Sequence, residues 1–174
     1  MTSKLLENGT YQKYQNVFNE WLTENIIKTI EETEIERRCH YLPHRAVFKP
    51  DTQTTPVRPV FDASCKIGRA PSLNDMLEKG PNLLKLLPTI LLRFRENKIG
   101  IVADIRKAFQ MIEVGEKDRD FLRFLWWEDP VTRKLKVYRH KRVVFGMNCS
   151  PFLLAAVIEL HLKSVSSEHA ALSQ

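Results

Sequence analysis

Asp104 follows the apolar run Gly100-Ile101-Val102-Ala103 and precedes Ile105-Arg106-Lys107-Ala108-Phe109. Small and β-branched apolar residues suit a buried strand, and a charge at its end puts a carboxylate at a sheet edge. Open sheets with helices on their faces often place their chemistry there. Two kinds of chemistry suit such a carboxylate: capping a helix that follows, and ligating a divalent cation. The decapeptide alone leaves both open. Arg58 and Lys49, taken alone, read as solvated charges on an edge strand. Trp126 and Trp127, with Phe121, Phe124 and the nearby Arg123, have the composition of a platform for stacked bases. Alternating aromatics on a strand are more often core on one face, and that is the reading adopted. Lys134, Lys136, Arg139, Lys141 and Arg142 are candidate contacts to a nucleic-acid backbone, the alternative being solvation of a sheet edge.

The elements that would position these groups follow from periodicity. Residues 11–36 are expected to form one amphipathic helix, with Tyr14, Val17, Phe18, Trp21, Leu22, Ile26 and Ile30 at three- and four-residue steps. From residue 40 the pattern turns to strands. HYLPHRAVF and PVRPVFD, separated by the turn-rich KPDTQTT, predict a hairpin with a polar, mobile tip. Pro43, Pro56 and Pro59 make these edge strands. Residues 63–81 are a long connection with little periodicity. A helix is expected over residues 82–96, kinked or divided at Pro88. Lys98–Ala103 is the strand before Asp104, followed by a helical turn through Phe109. Phe121–Trp127 and Lys134–Val144 predict a second hairpin around EDPVTR. Ser150 and Pro151 open a helix to about Lys163, Ser as a good N-cap and Pro at the first helical position. The tail SVSSEHAALSQ is expected to fray.

Size and composition set the frame. The chain has 174 residues, 43% of them hydrophobic, and a net charge of +6. That allows one domain, with or without an appendage, and fits a polyanionic partner without requiring one. Cys39, Cys65 and Cys149 show neither zinc spacing nor a disulfide framework, so an intracellular location, cytoplasmic or nuclear, is expected. MTSKLLENGTYQKYQ lacks the apolar core of a signal peptide, and the Leu83–Leu92 segment is too short to span a bilayer, so no membrane partner is expected.

In order along the chain come YLPHRAVFKP, TTPVRPVFDAS, SLNDMLEKGPNLL, IVADIRKAFQMI and VVFGMNCSPFLL. Together these resemble the reverse transcriptase of BEL/Pao-type LTR retrotransposons, over about residues 40–163. The resemblance implies an α+β chain: a partial right-hand polymerase fold, with a fingers hairpin and an incomplete palm of antiparallel sheet and helices, preceded by the amphipathic N-terminal helix. It divides the chain into an N-terminal helix and linker, 1–38, and fingers with partial palm, 39–174. By resemblance, Asp104 is the first catalytic aspartate and binds Mg2+ with the backbone carbonyl of Ile105. Arg58, and less directly Lys49, would hold the triphosphate of the incoming dNTP. Phe109 would be the steric gate against a 2′-hydroxyl, with a core phenylalanine as the plain alternative. Phe145 and Gly146 would approach the nascent base pair. Arg58, Asp104, Phe109 and Phe145 are then expected around one cleft, and the parent's partners would be an RNA/DNA template-primer and dNTPs.

The pattern breaks at the second catalytic motif. No Tyr-x-Asp-Asp pair is present, and beyond Pro151 the acidic residues are Glu159 and Glu168. The reading expects truncation before that hairpin, Mg2+ binding that is weak or absent, and no polymerase activity from this chain alone. Two alternatives stand beside it. One is a non-catalytic nucleic-acid-binding or interaction module derived from a retroelement. The other is a degenerate product without a stable fold.

Overall fold

The computed structural model describes residues 2–49, 56–132 and 134–164, without the side chains of Leu84 and Lys85. The expected mobile tip at residues 50–55 and the expected frayed tail after Ser164 lie outside the described residues. The chain is mixed α+β, with two small antiparallel sheets and several helices.

A short α1 (Thr2–Glu7) leads into α2 (Tyr11–Thr23). The face of α2 carrying Tyr14, Phe18 and Trp21 is buried at the centre of the core. The single helix expected over residues 11–36 does not form. Asn25 turns left-handed at φ +58°, a conformation asparagine tolerates, and the Ile26 amide returns to the Trp21 carbonyl. The chain then becomes β1 (Ile27–Thr29) and a short α3 (Glu32–Ile35). Ile26 and Ile30, which fitted a helical stripe, are buried here with Ile27 around an edge strand instead.

Next comes the first hairpin, β2 (His44–Phe48) with β3 (Val57–Phe61). Its register sets His44 opposite Phe61 and Val47 opposite Arg58. Alternation puts His44, Ala46, Val57 and Phe61 on the face toward the core. Arg45, Val47, Arg58 and Val60 share the other face. Between this hairpin and the helix α4 (Leu87–Phe94) lie two 3₁₀ turns, Leu73–Met76 and Leu83–Leu86. Pro88 is in the first turn of α4, so the expected helix is divided there: proline has no N–H to continue the preceding turn.

The second hairpin forms as expected, β4 (Arg123–Asp129) with β5 (Lys134–His140), irregular between Trp127 and Asp129. β1 pairs with the other edge of β5, giving the order β1-β5-β4. Phe124 and Trp126 are core, not an open stacking platform. The last described element is a helix, α5 (Ser150–Ser164). Among the described residues no helix is long and apolar enough to cross a membrane.

Two polar devices join these layers. Tyr14 Oη lies 2.7 Å from His44 Nδ1, and His44 Nε2 lies 2.9 Å from the Leu125 carbonyl oxygen. A carbonyl only accepts, so Nε2 carries the proton, Nδ1 accepts, and Tyr14 donates. Helix, hairpin and sheet are thereby tied through one imidazole. The second device is ionic. Arg123, fully buried, donates to Asp120 and to the Glu34 and Ile35 carbonyls at the end of α3. Arg139 donates to the same Asp120 at 2.6 Å and lies 3.4 Å from Glu34. Burial works against the Asp120 charge, but the bonds from Arg139 and Arg123 override it and lower its pKa.

One expected element is missing. Residues 99–105 form no ladder, and Ile99, Ile101 and Val102 are 81–86% exposed. A strand exists only by pairing, and among the described residues no strand lies alongside.

Candidate functional site

Asn74 gathers the loops that carry the expected site residues. The turn that presents it is well specified: Ser72 accepts from the Asp75 amide while Asp75 accepts from the Ser72 amide, a reciprocal cap. Lys66 adds an ion pair at 2.8 Å, and these bonds bring the Asp75 carboxyl down to about 2. From this turn Asn74 Nδ2 donates to Ser64 Oγ at 2.8 Å and to the Gly146 carbonyl at 3.1 Å. The Asn148 amide donates to Asn74 Oδ1 at 2.9 Å, and Asn148 Nδ2 donates to the Asn74 carbonyl at 2.7 Å. Three motifs separated along the chain are thus joined by four hydrogen bonds.

Gly146 meets a further constraint. It sits at φ +98°, and a Cβ there would overlap the carbonyl oxygen of Phe61 at the end of β3. The loop can lie against the first hairpin only with glycine at this position. Ser150 begins α5, but its hydroxyl donates to the Val144 carbonyl at 2.8 Å. It braces the loop from the other side. Gly80 completes the junction, because its Cα faces the ring of Phe152 so closely that no side chain fits between them.

Phe109 reaches the junction from a 3₁₀ turn, Ala108–Met111. Its ring meets that of Phe145 edge-on, with centroids 4.6 Å apart. Phe145 is 53% exposed, so the pair presents an open aromatic surface and is not sealed in the core. The two aromatic site residues are therefore brought together.

The charged site residues are less firmly held. Asp104 stands in exposed coil, with no hydrogen bond or ion pair among the described residues. The expectation that a strand end holds it at a sheet edge is not met, because that strand is unpaired. Nor does it cap a helix: Lys107 occupies the cap position of the following turn. Ile105 is exposed in the same segment. Arg58 lies on the outward face of β3, and Lys49 follows β2, its amide bonded to the Pro56 carbonyl at 2.8 Å. Arg58 and Asp104 make no bond to one another, so the expected four-residue cleft is not formed by direct contact. Among the described residues no group of three His, Cys, Asp or Glu could hold a metal ion.

The five candidate backbone contacts divide. Lys134 and Lys136 both pair with Glu128, at 2.7 and 2.9 Å, in an exposed arrangement that a phosphate could replace. Lys141 donates to Asn25 at 2.6 Å, and Arg142 to the Met111 carbonyl at 3.4 Å. Arg139 is corrected: it is 7% exposed and committed to Asp120 and Glu34, so it braces the interior and faces no ligand.

Residue types and spacing did not single out Asn74, Lys107 or Arg123. Asn74 carried a signal, an asparagine in a capped turn within one of the quoted motifs. Lys107 carried none, because its partners Glu20 and Glu24 lie far away in sequence. The chain matches no protein-family model and no curated protein.

Proposed function

We propose that the chain is part of the fingers and palm of an RNA-directed DNA polymerase of the BEL/Pao retrotransposon type, and that by itself it binds but does not polymerise. The observation that carries this reading is the convergence on one junction. Ser64, Asn74, Gly146 and Asn148 are hydrogen-bonded together, and Phe109 touches Phe145 beside them. These residues come from four of the five segments that resemble the family. A chance run of motifs gives no reason for them to meet.

In this reading the β2–β3 hairpin is the fingers and the β1-β5-β4 sheet belongs to the palm. Arg58 and Lys49 grip the triphosphate, and Phe109 closes under the sugar of the incoming deoxynucleotide. The apolar segment 99–105 supplies the palm strand that ends at Asp104, and a Tyr-x-Asp-Asp hairpin of the parent enzyme completes it. The donor set in this chain does not fit a two-Mg2+ site. Asp104 offers one carboxylate and Ile105 a neutral carbonyl, too little negative charge to hold two dications close together. No step of phosphoryl transfer is therefore assigned to these residues. Their work is recognition: cations for phosphate, an aromatic pair for base and sugar.

That same missing carboxylate set supports a second reading, a non-catalytic nucleic-acid-binding module that keeps the surface and has lost the chemistry. The two readings share a first test, anisotropy of a labelled RNA/DNA primer-template across a salt series. Affinity should fall steeply with salt and show little sequence preference, because phosphate contacts dominate. Absence of binding at low salt refutes both. Primer extension with dNTPs and Mg2+ separates them. The chain alone should extend nothing. A parent sequence that adds the Tyr-x-Asp-Asp hairpin should extend, and Asp104→Ala should abolish that activity. Extension that survives Asp104→Ala refutes the polymerase assignment.

A further inference from the structure

Lys107 has φ +54°, and Asn25 is the other non-glycine residue with positive φ among the described residues. Asparagine visits that region readily. Lysine is held there only when its surroundings over-determine it. The surroundings here are two carboxylates at the end of α2, Glu20 in its last turn and Glu24 at its C-cap. Glu20 Oε1 and Glu24 Oε2 each lie 2.6 Å from Lys107 Nζ. Four residues is about one helical turn, so both carboxylates point the same way. The Lys107 side chain is 21% exposed but Glu20 and Glu24 are 53% and 36% exposed, so salt reaches the pairing from the carboxylate side. Burial opposes the ammonium charge, but its hydrogen bonds to Glu20 and Glu24 override it and raise its pKa.

The segment before it is otherwise unsupported. Residues 97–106 make no hydrogen bond or ion pair among the described residues. After Lys107 the chain closes on itself, the Met111 amide donating to the Lys107 carbonyl and the Ile112 amide to the Phe109 carbonyl. Lys107 is therefore the first polar anchor between the loose segment bearing Asp104 and the turn bearing Phe109. α2 lies outside the segments that carry the family resemblance.

We propose that Glu20, Glu24 and Lys107 form an ionic latch through which α2 sets the orientation of the turn carrying Phe109 and of the Asp104 segment leading into it. Lys107 is a positioning residue for nucleotide binding at the Phe109–Phe145 pair. What the turn does rests on the polymerase reading; how it is held does not.

The test is amide hydrogen exchange of the full chain by NMR, read at Met111 and Ile112, whose N–H groups close the turn. Glu20→Gln with Glu24→Gln keeps the shape of both side chains and removes their charge. Exchange at these two amides should rise about tenfold or more while β4 and β5 amides stay protected. Ring-to-ring NOEs between Phe109 and Phe145 should weaken together with it. Reversal of all three charges, Lys107→Glu with Glu20→Lys and Glu24→Lys, should restore protection, which a space-filling role would not predict. Lys107→Gly relieves the backbone but removes the ammonium, and should exchange as fast as the Gln variant. Unchanged protection in the Gln variant, or no recovery on charge reversal, overturns the latch. If the Gln variant does not fold, the unaltered chain decides. Added KCl should speed exchange at Met111 and Ile112 and leave the sheet unaffected, and equal protection at low and high salt overturns the proposal. None of these measurements involves a nucleotide, so failure of the latch is distinct from failure of the polymerase reading, which the binding assay decides.

Discussion

Gly146 and His140 are single residues whose behaviour is set by groups distant in sequence. At Gly146 a methyl group meets a backbone carbonyl that cannot rotate away, and its φ is left-handed besides. Gly146→Ala should therefore cost about 1–3 kcal/mol, measured as a lowered urea midpoint, and should loosen the Asn74 bonds to the loop. A midpoint equal to that of the unaltered chain would show that the loop sits elsewhere. His140 is buried among Trp21, Phe61 and Phe124, with no partner for its Nε2. Burial, and then the nearby His44, bring its pKa down to about 3. Burial lowers His44 as well, against the opposing bond to Leu125. In the unfolded chain both histidines titrate near about 6.5. Between pH 6.5 and 3 the unfolded chain therefore binds more protons at His140 than the folded one. Stability is full above that window and falls as the pH drops, by up to about 1.4 kcal/mol per pH unit for one such histidine. Urea midpoints at neutral and mildly acid pH should show the loss, and His140→Leu should flatten much of it. An equally steep dependence in that variant would place the sensitivity elsewhere. Neither constraint was legible in its own residue type. The resemblance gives Gly146 the approach of a base pair, and residue type alone does not show that the Phe61 carbonyl of the same chain also excludes its side chain. His140, at the end of a basic strand, had no local sign of burial, because its cage comes from α2, β3 and β4.

At the scale of elements, the second hairpin and the α3 segment are held by the Arg123–Asp120–Arg139–Glu34 cluster. Removing one member leaves buried charge and carbonyl groups short of hydrogen-bond partners, which costs more than the intact cluster contributes. Arg123→Ala should destabilise the chain by about 3–5 kcal/mol, because Asp120 and the Glu34 and Ile35 carbonyls lose donors together. Arg123→Lys should recover only part of this, since one ammonium cannot reach all three acceptors in a plane. Chemical denaturation of the two variants checks the order, and equal stabilities would refute the planar-donor argument. The strands of both hairpins were legible, because alternation and turn residues are local. The end of α2 was not. Ile26 and Ile30 fit a helical stripe as well as the flanks of a strand, and only pairing of the segment between them with β5, more than a hundred residues away, decides. The Lys98–Ala103 segment shows the converse. Its composition states a strand as clearly as any in the chain, yet local preference does not form a ladder without a neighbour. Aromatic alternation assigns Phe124 and Trp126 to the core, but nothing local marks Arg123 beside them as fully buried, and Arg139, a candidate phosphate contact, is buried with it.

Across the whole molecule, the apolar surface is divided unevenly. The core gathers α1, α2, the inner hairpin face and the β1-β5-β4 sheet. Outside it Ile99, Ile101 and Val102 are more than four-fifths exposed, and α4 buries no residue although Leu87, Ile90, Leu91, Leu92 and Phe94 are apolar. Gly100 lies against the Phe94 ring, so the unpaired segment and α4 are neighbours. Exposed apolar surface of this kind, with free backbone amides and carbonyls beside it, favours pairing with another chain. The net charge of +6 opposes association, but charge repulsion is screened by salt while apolar burial is not. The isolated chain should therefore self-associate increasingly with concentration, and more strongly at high salt. Sedimentation velocity over a concentration series in both conditions measures this. Replacing Ile101 and Val102 by lysine should return the monomer. The urea midpoint of that variant should stay within about 0.5 kcal/mol of the parent, because both side chains are already in solvent. A chain that remains monomeric at every concentration and salt would show that this surface is covered by the chain itself. The 99–105 segment would then not be a strand waiting for a partner, and the proposal that it supplies a palm strand would fall, leaving the polymerase reading on the Asn74 junction alone.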